Sequence, residues 1–232
     1  MVLVAARNPL NIGAAARAMS NFGFAKLRLV APYSAAFREA RSAVGASAVL
    51  ASAQEFRTVA DAVADCALVV GTTAIQNREL QHPLRRLESG ARLIRRQLAG
   101  HRIALLFGSE KRGLSNRDLS HCHWLMRIPT REEHDSMNLG QAVAVCLYEL
   151  VREAKPARPA EKHEPATSAD LERITTLLFD VLSASGYVRP ANAASAEEKL
   201  RRLVRRLQFE AADAEIWLGM LRQILWKLQS GG

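Results

Sequence analysis

Through the first two-thirds of the chain, short apolar runs alternate with stretches of helical period, and this alternation restricts the fold more than any other property. Val2 to Ala5, Lys26 to Val30, Ala67 to Val70, Arg102 to Phe107 and Trp124 to Ile128 read as buried strands, with Ala14 to Phe22, Val59 to Cys66 and Glu88 to Leu98 as helices between them. Strands that are apolar throughout need cover on both faces, and repeated strand–helix–strand units make neighbouring strands parallel. The expected core is therefore α/β, a mostly parallel sheet with helices on both faces. No G-x-G-x-x-G follows the first strand and no G-x-x-x-x-G-K-[ST] occurs anywhere, so dinucleotide and phosphate-loop sites lack their defining turns.

The alternation ends near residue 154. Residues 155–168 carry three prolines and mixed charge with no apolar period, the pattern of a linker. Beyond it, residues 169–232 hold three amphipathic helical stretches, Ala169 to Ala184, Ala196 to Gln208 and Ala214 to Gln229. The middle one is expected to open with a capping box between Ser195 and Glu198. Its apolar face is Leu200, Leu203, Val204 and Leu207, which leaves Arg201, Arg202, Arg205 and Arg206 for the rest of the surface.

A formal charge of +9 favours a polyanionic partner, nucleic acid first, because lysines and arginines that neutralise phosphates release counterions. The three cysteines, Cys66, Cys122 and Cys146, are scattered and form no C-x-x-C pair, which argues against a disulfide framework or a zinc ribbon and for a reducing compartment. His121-Cys122-His123 in a strand-like stretch would place only its two histidines on one face, too few for a metal site. No run reaches membrane-spanning length, and Met1 to Ala6 is too short for a signal sequence. A cytosolic protein with no metal is expected.

Three glycine-bearing polar segments have the composition of ligand-binding turns: Asn11-Ile12-Gly13-Ala14-Ala15-Ala16-Arg17, Phe107 to Leu114, and Ser136-Met137-Asn138-Leu139-Gly140-Gln141-Ala142. Such turns expose backbone N–H and C=O groups, and at helix starts they add unpaired donors and a positive dipole end. In order and spacing they resemble the three motifs of the SPOUT superfamily, in its TrmH-like branch of RNA ribose 2′-O-methyltransferases. The resemblance runs from residue 1 to about 154. It implies S-adenosyl-L-methionine as cofactor, a C-terminal trefoil knot in the sheet, and a homodimer. The tail resembles the C-terminal extension of bacterial enzymes that methylate the tRNA ribose at position 32 of the anticodon loop, which narrows the partner to tRNA. Another tRNA position, ribosomal RNA, or an RNA-binding protein without catalysis are the alternatives.

The resemblance assigns catalytic roles to Arg17, Asn11, Glu110, Ser136 and Asn138. Arginine stays protonated in nearly every site, so Arg17 is expected to position the attacking oxygen and stabilise its charge rather than take its proton. Helix capping would account equally well for Asn11, Ser136 and Asn138, and a surface ion pair with Lys111 or Arg112 for Glu110. Gly71, Thr72, Thr73, Ala74, Gly108, Ile128, Met137 and Leu139 match positions that surround the cofactor, although Ile128 and Leu139 also suit a core. Arg17, Arg112, Arg131, Arg201, Arg202 and Arg205 are the expected RNA contacts. Ser109 departs from the asparagine or arginine usual in this branch.

Overall fold

The computed structural model describes residues 1–42, 48–74, 81–98, 100–131, 133, 136–152 and 164–230. Seven strands form one sheet: β1 (Val2–Val4), β2 (Arg28–Val30), β3 (Gln54–Phe56), β4 (Leu68–Thr72), β5 (Leu84–Arg86), β6 (Ile103–Phe107) and β7 (Trp124–Arg127). Their order is β3-β2-β1-β6-β4-β7-β5, and every neighbouring pair is parallel. Side chains alternate across a strand, and the core divides accordingly. Leu3, Leu29, Val70, Leu105 and Phe107 join the cluster that includes α1 (Pro9–Asn21), α5 (Leu87–Leu98) and α7 (Leu139–Val151). Val2, Val4, Val30, Val69 and Leu106 face the other way, towards α4 (Val59–Val63) and α6 (Asn116–Ser120). Two further helices, α2 (Ser34–Ser42) and α3 (Ala48–Ala51), complete the first layer.

Several local expectations need correction. The outer strands β3 and β5 were not anticipated, because Gln54-Glu55 and Arg85-Arg86 break the apolar run, as suits exposed sheet edges. Helix α1 starts earlier than the periodicity indicates: Asn8 is its cap, its side-chain oxygen accepting the Leu10 N–H at 2.9 Å, and Pro9 fills the first turn. Asn11 is therefore inside the helix, buried, and not its cap. The histidine–cysteine stretch is not a strand; His121 terminates α6, whose capping box is Ser115 with Asp118. His121 is buried and His123 half-buried. Burial holds both His121 and His123 far below the usual imidazole value, to about 3, and His123 Nδ1 accepts the Val69 N–H at 3.1 Å.

The last described segment forms α8 (Ser168–Ala184), a 3₁₀ turn (Pro190–Asn192), α9 (Ala193–Arg206) and α10 (Ala211–Ser230), gathered around Leu171, Ile174, Val181, Val204, Leu218 and Leu221. Most of the expected linker lies outside the described residues. Of its remainder, Thr167 is the cap of α8 and forms a capping box with Asp170 inside the helix. Helix α9 begins before Ser195 and its cap is Asn192, so the Ser195–Glu198 box does not form. The orientation of α9 also differs from the apolar pattern: Leu203 and Leu207 are exposed, whereas Arg201 and Arg205 are 5% and 2% exposed.

These two arginines are not RNA contacts; they fasten α9 to the rest of the chain. Glu172 on α8 accepts from Arg201 Nη2 at 2.8 Å and from Arg205 Nη2 at 3.2 Å, Arg205 Nε donates to the His121 carbonyl at 2.9 Å, and Glu197 completes the ring around Arg201. Arg202 is likewise withdrawn, its side chain 11% exposed and 3.7 Å from Glu198. Backbone bonds from Ser168 N to Cys66 O and from Ala169 N to Ala64 O, 2.8 and 2.9 Å, tie α8 to the end of α4. A buried charge needs a partner more than an exposed one does, and Glu172 meets that need for two.

Candidate active site

The strand order reverses between β1 and β6: from β1 the chain builds towards β3, and the later strands lie on the other side. In open parallel sheets ligands collect outside the carboxyl ends of strands at such a reversal. The loop after β6 turns back there. Gly113 has φ +64°, and a Cβ on Gly108 would lie 2.0 Å from the Gly113 carbonyl carbon, so both glycines are required for the turn. The Gly113 N–H closes it on Ser109 O at 2.8 Å.

This turn delivers Glu110 to the start of α1. Its carboxylate accepts from the backbone N–H groups of Arg7 and Asn8, both at 3.2 Å, and from Asn11 Nδ2 at 3.0 Å. Burial opposes ionisation of Glu110, but the hydrogen bonds from Asn11, Arg7 and Asn8 prevail and hold it below the ordinary carboxylate range. Asn11 Oδ1 then accepts from Asn138 Nδ2 at 2.9 Å, and Asn138 Oδ1 accepts the Gly140 N–H at 2.9 Å and the Gln141 N–H at 3.4 Å. The result is a directed relay from the first turn of α7 through Asn138 and Asn11 to Glu110. Helices α1 and α7 approach closely enough for it because residue 140 is glycine: a Cβ there would stand 2.6 Å from that of Ala14. Asn138 does cap α7, but its amide is committed at both ends.

Arg17 is exposed on α1, and among the described residues its guanidinium makes no hydrogen bond or ion pair. Arg112 and Arg131 are exposed as well. Ser136 and Met137 do not join the relay; with Asn138, Thr130, Arg131 and Gln141 they line an open cavity of about 610 Å³. Gln141 lies in the third of the quoted segments without a role assigned to it, and Thr130 and Asn8 lie outside all three. The neighbouring Asn138 and the loop's glycine were the only signals that could have pointed to them.

The expected cofactor positions converge at the carboxyl ends of three adjoining strands. Gly71 pairs with Leu106 on one side and Leu125 on the other, so Gly71 to Ala74, Gly108 and Ile128 leave the sheet side by side. Thr72 Oγ1 donates to Leu106 O at 2.9 Å and Thr73 N to Met126 O at 3.0 Å, which fixes the first of these turns. Leu139 belongs to the core and Ile128 packs against it half-buried.

A fold of this order with an amide–carboxylate relay at its switch point defines a class. The chain belongs to the SpoU rRNA Methylase family, whose pattern matches residues 1–148. Over its whole length it is also similar to two proteins named tRNA (cytidine/uridine-2′-O-)-methyltransferase TrmJ. The one from Yersinia pestis (strain Pestoides F) is 40% identical over 234 residues, 97% of this chain and 90% of that protein. The one from Sodalis glossinidius (strain morsitans) is 37% identical over 231 residues, with the same coverage. Among solved structures, TrmJ from Z. mobilis ZM4 superposes with a TM-score of 0.83 at 33% identity, over 96% of this chain and 97% of that one. That likeness includes the helical tail.

Proposed function

We propose that the protein is a cytoplasmic homodimer that transfers a methyl group from S-adenosyl-L-methionine to the ribose 2′-oxygen of a cytidine or uridine in tRNA, at position 32 of the anticodon loop. The observation that carries this reading is the relay Glu110–Asn11–Asn138 at the β1/β6 switch point, with Arg17, a cation without a partner among the described residues, on the same helix as Asn11. The names of the full-length relatives support the substrate.

Parallel strand ends that offer backbone groups at Gly71 to Ala74 and Gly108, beside the apolar Ile128, Met137 and Leu139, suit an adenosine ring and a charged tail. The bound cofactor would supply an electrophilic methyl on a sulfonium centre. The chain's own contribution is geometry and charge. Arg17 holds the ribose oxygen and stabilises the negative charge that develops on it, a role that needs no deprotonation of the guanidinium. Glu110 and Asn11 fix the start of α1 and hence Arg17, while Asn138 and Ser136 define the opposite wall. A knot is compatible with the strand order, in which β7 lies between β4 and β5. Exposed Leu10 and Tyr148, on α1 and α7, offer apolar surface for a second copy. Arg112 and Arg131 remain as RNA contacts, and the all-α extension would contribute its exposed Arg206 in place of the three withdrawn arginines.

The test is methyl transfer from labelled cofactor to bulk tRNA, followed by mapping of the modified nucleoside. Arg17→Ala and Arg17→Lys should each lower single-turnover transfer by about a hundredfold, the scale of losing an oxyanion donor. Label found in another tRNA position or only in ribosomal RNA would replace the substrate assignment. Normal transfer by both variants at saturating tRNA would make Arg17 a phosphate anchor.

A further inference from the structure

The cavity beside the relay shares Met137 with the expected cofactor positions, and of its remaining lining Thr130, Arg131 and Gln141 have no role in holding the cofactor. It opens outside the carboxyl end of β7, and at about 610 Å³ it falls within the ~300–1,000 Å³ of small-molecule sites. One wall is Asn138, the last member of the relay, so a group seated there reaches the chemistry directly. The other walls carry Thr130, Arg131, Ser136 and Gln141 together with Pro129 and Met137, apolar surface set beside hydrogen-bonding groups and one cation. Such a lining suits a flipped-out nucleotide, whose base packs on apolar side chains, is read at its edge by polar groups and has its phosphate met by the cation.

Gln141 stands out among them. It occupies the first turn of α7, and its backbone N–H is already used by Asn138. Its side chain is exposed and lines the cavity, and among the described residues its carboxamide has no hydrogen-bond partner. A carboxamide carries a donor and an acceptor on one rotatable group. Cytosine and uracil differ at their 4-position in the complementary way: an amino donor in one, a carbonyl acceptor in the other. One amide therefore meets either base by turning over, whereas a carboxylate or an ammonium would suit only one of them.

We propose that this cavity receives the target pyrimidine and that Gln141 is the residue that reads its 4-position, accepting cytidine and uridine alike. The inference rests on the methyltransferase reading above and names the subsite that gives it a base preference. Gln141 does not take part in the relay, so its substitution changes selectivity more than chemistry.

The experiment uses the full chain, S-adenosyl-L-methionine and two tRNA transcripts that differ only in carrying C or U at position 32, with single-turnover methylation as the readout. The unaltered protein should methylate both at rates within about threefold of each other, since either base satisfies one hydrogen bond. Gln141→Glu, acceptor only, should move the C-to-U rate ratio at least about fivefold towards C. Gln141→Lys, donor only, should move it at least about fivefold towards U, on the scale of one base-edge hydrogen bond. Gln141→Met should slow both transcripts by the same factor. A C-to-U ratio that stays unchanged in the Glu and Lys variants, whether or not both transcripts slow, overturns the assignment of Gln141. If instead the unaltered protein methylates neither transcript, the proposed function itself fails, and that result is distinct from an unchanged ratio.

Discussion

Glu172 is the residue on which the seating of the C-terminal helices depends most. Consider Glu172→Gln, which keeps the shape but removes the charge. Arg201 retains Glu197 and the Ser120 hydroxyl, the latter at 3.4 Å, but the carboxamide has one acceptor oxygen for two arginines and no charge, so Arg205 keeps no anionic partner beside the His121 carbonyl at 2.9 Å. The Arg205 side chain is 1% exposed, so water cannot replace the lost partner. Breaking a buried ion pair costs about 3–5 kcal/mol, and because Glu172 itself is a quarter exposed the lower end, about 3 kcal/mol, applies. At 1.4 kcal/mol per factor of ten that is about a hundredfold rise in the open population. It should appear as about a hundredfold faster hydrogen exchange of α8 and α9 amides, with β4 and β6 unaffected. Replacing all three residues by apolar ones of similar size should largely restore protection, since a dry packed contact does not need the charges. Exchange within about twofold of the parent in Glu172→Gln would refute the argument and make this an ordinary solvent-screened pair.

Three further outcomes follow from the geometry. Gly140→Ala should destabilise the protein by about 1–3 kcal/mol through overpacking against Ala14, visible as a lowered melting temperature that Ala14→Gly partly recovers; an unchanged melt would mean that α1 and α7 have slack. Asn138→Asp should keep the cap on α7, because aspartate accepts N–H groups as well as asparagine does, yet lose at least about tenfold in methyl transfer because it cannot donate to Asn11; full activity would reduce Asn138 to a cap. Stability should fall as pH drops below about 6.5, by up to about 1.4 kcal/mol per pH unit for each of His121 and His123. Burial lowers both to about 3 in the folded chain, so between those values the unfolded chain takes up protons that the folded one refuses; equal urea midpoints at pH 7 and 5.5 would contradict this.

The strands at the centre of the sheet were legible in the sequence and those at its edges were not, for one physical reason. Val69, Val70, Leu105 and Leu106 lie between two layers of helix and must be apolar, so composition marks them. Gln54 and Glu55 hold their places through backbone pairing with Arg28 and Leu29 respectively, which leaves side-chain type nearly free. The same limit explains α9. Its period of apolar residues was read correctly as helical, but the face it buries depends on Glu172, 29 positions before Arg201. A local pattern treats an arginine as solvated and has no means of finding a carboxylate on another helix.

The site divides in the same way. Asn11, Glu110 and Asn138 are each visible as motif members, yet each alone is explained as well by a cap or a surface pair, and only the contacts between them decide. Those contacts span 99 and 127 positions. Once they are seen, the residue types become necessary. Backbone N–H groups of α7 occupy the oxygen of Asn138, which leaves only its nitrogen for Asn11; that in turn occupies the oxygen of Asn11 and aims its nitrogen at Glu110. An acid at position 138 would face the Asn11 oxygen with no proton to give, and an acid at position 11 would set a second carboxylate against Glu110, a repulsion that raises the pKa of one of them. Capping requires only an acceptor, so it does not distinguish Asn from Asp. The relay does, because its direction is set at one end by a helix start and at the other by a carboxylate held below its ordinary range by Asn11 and, with it, the Arg7 and Asn8 N–H groups.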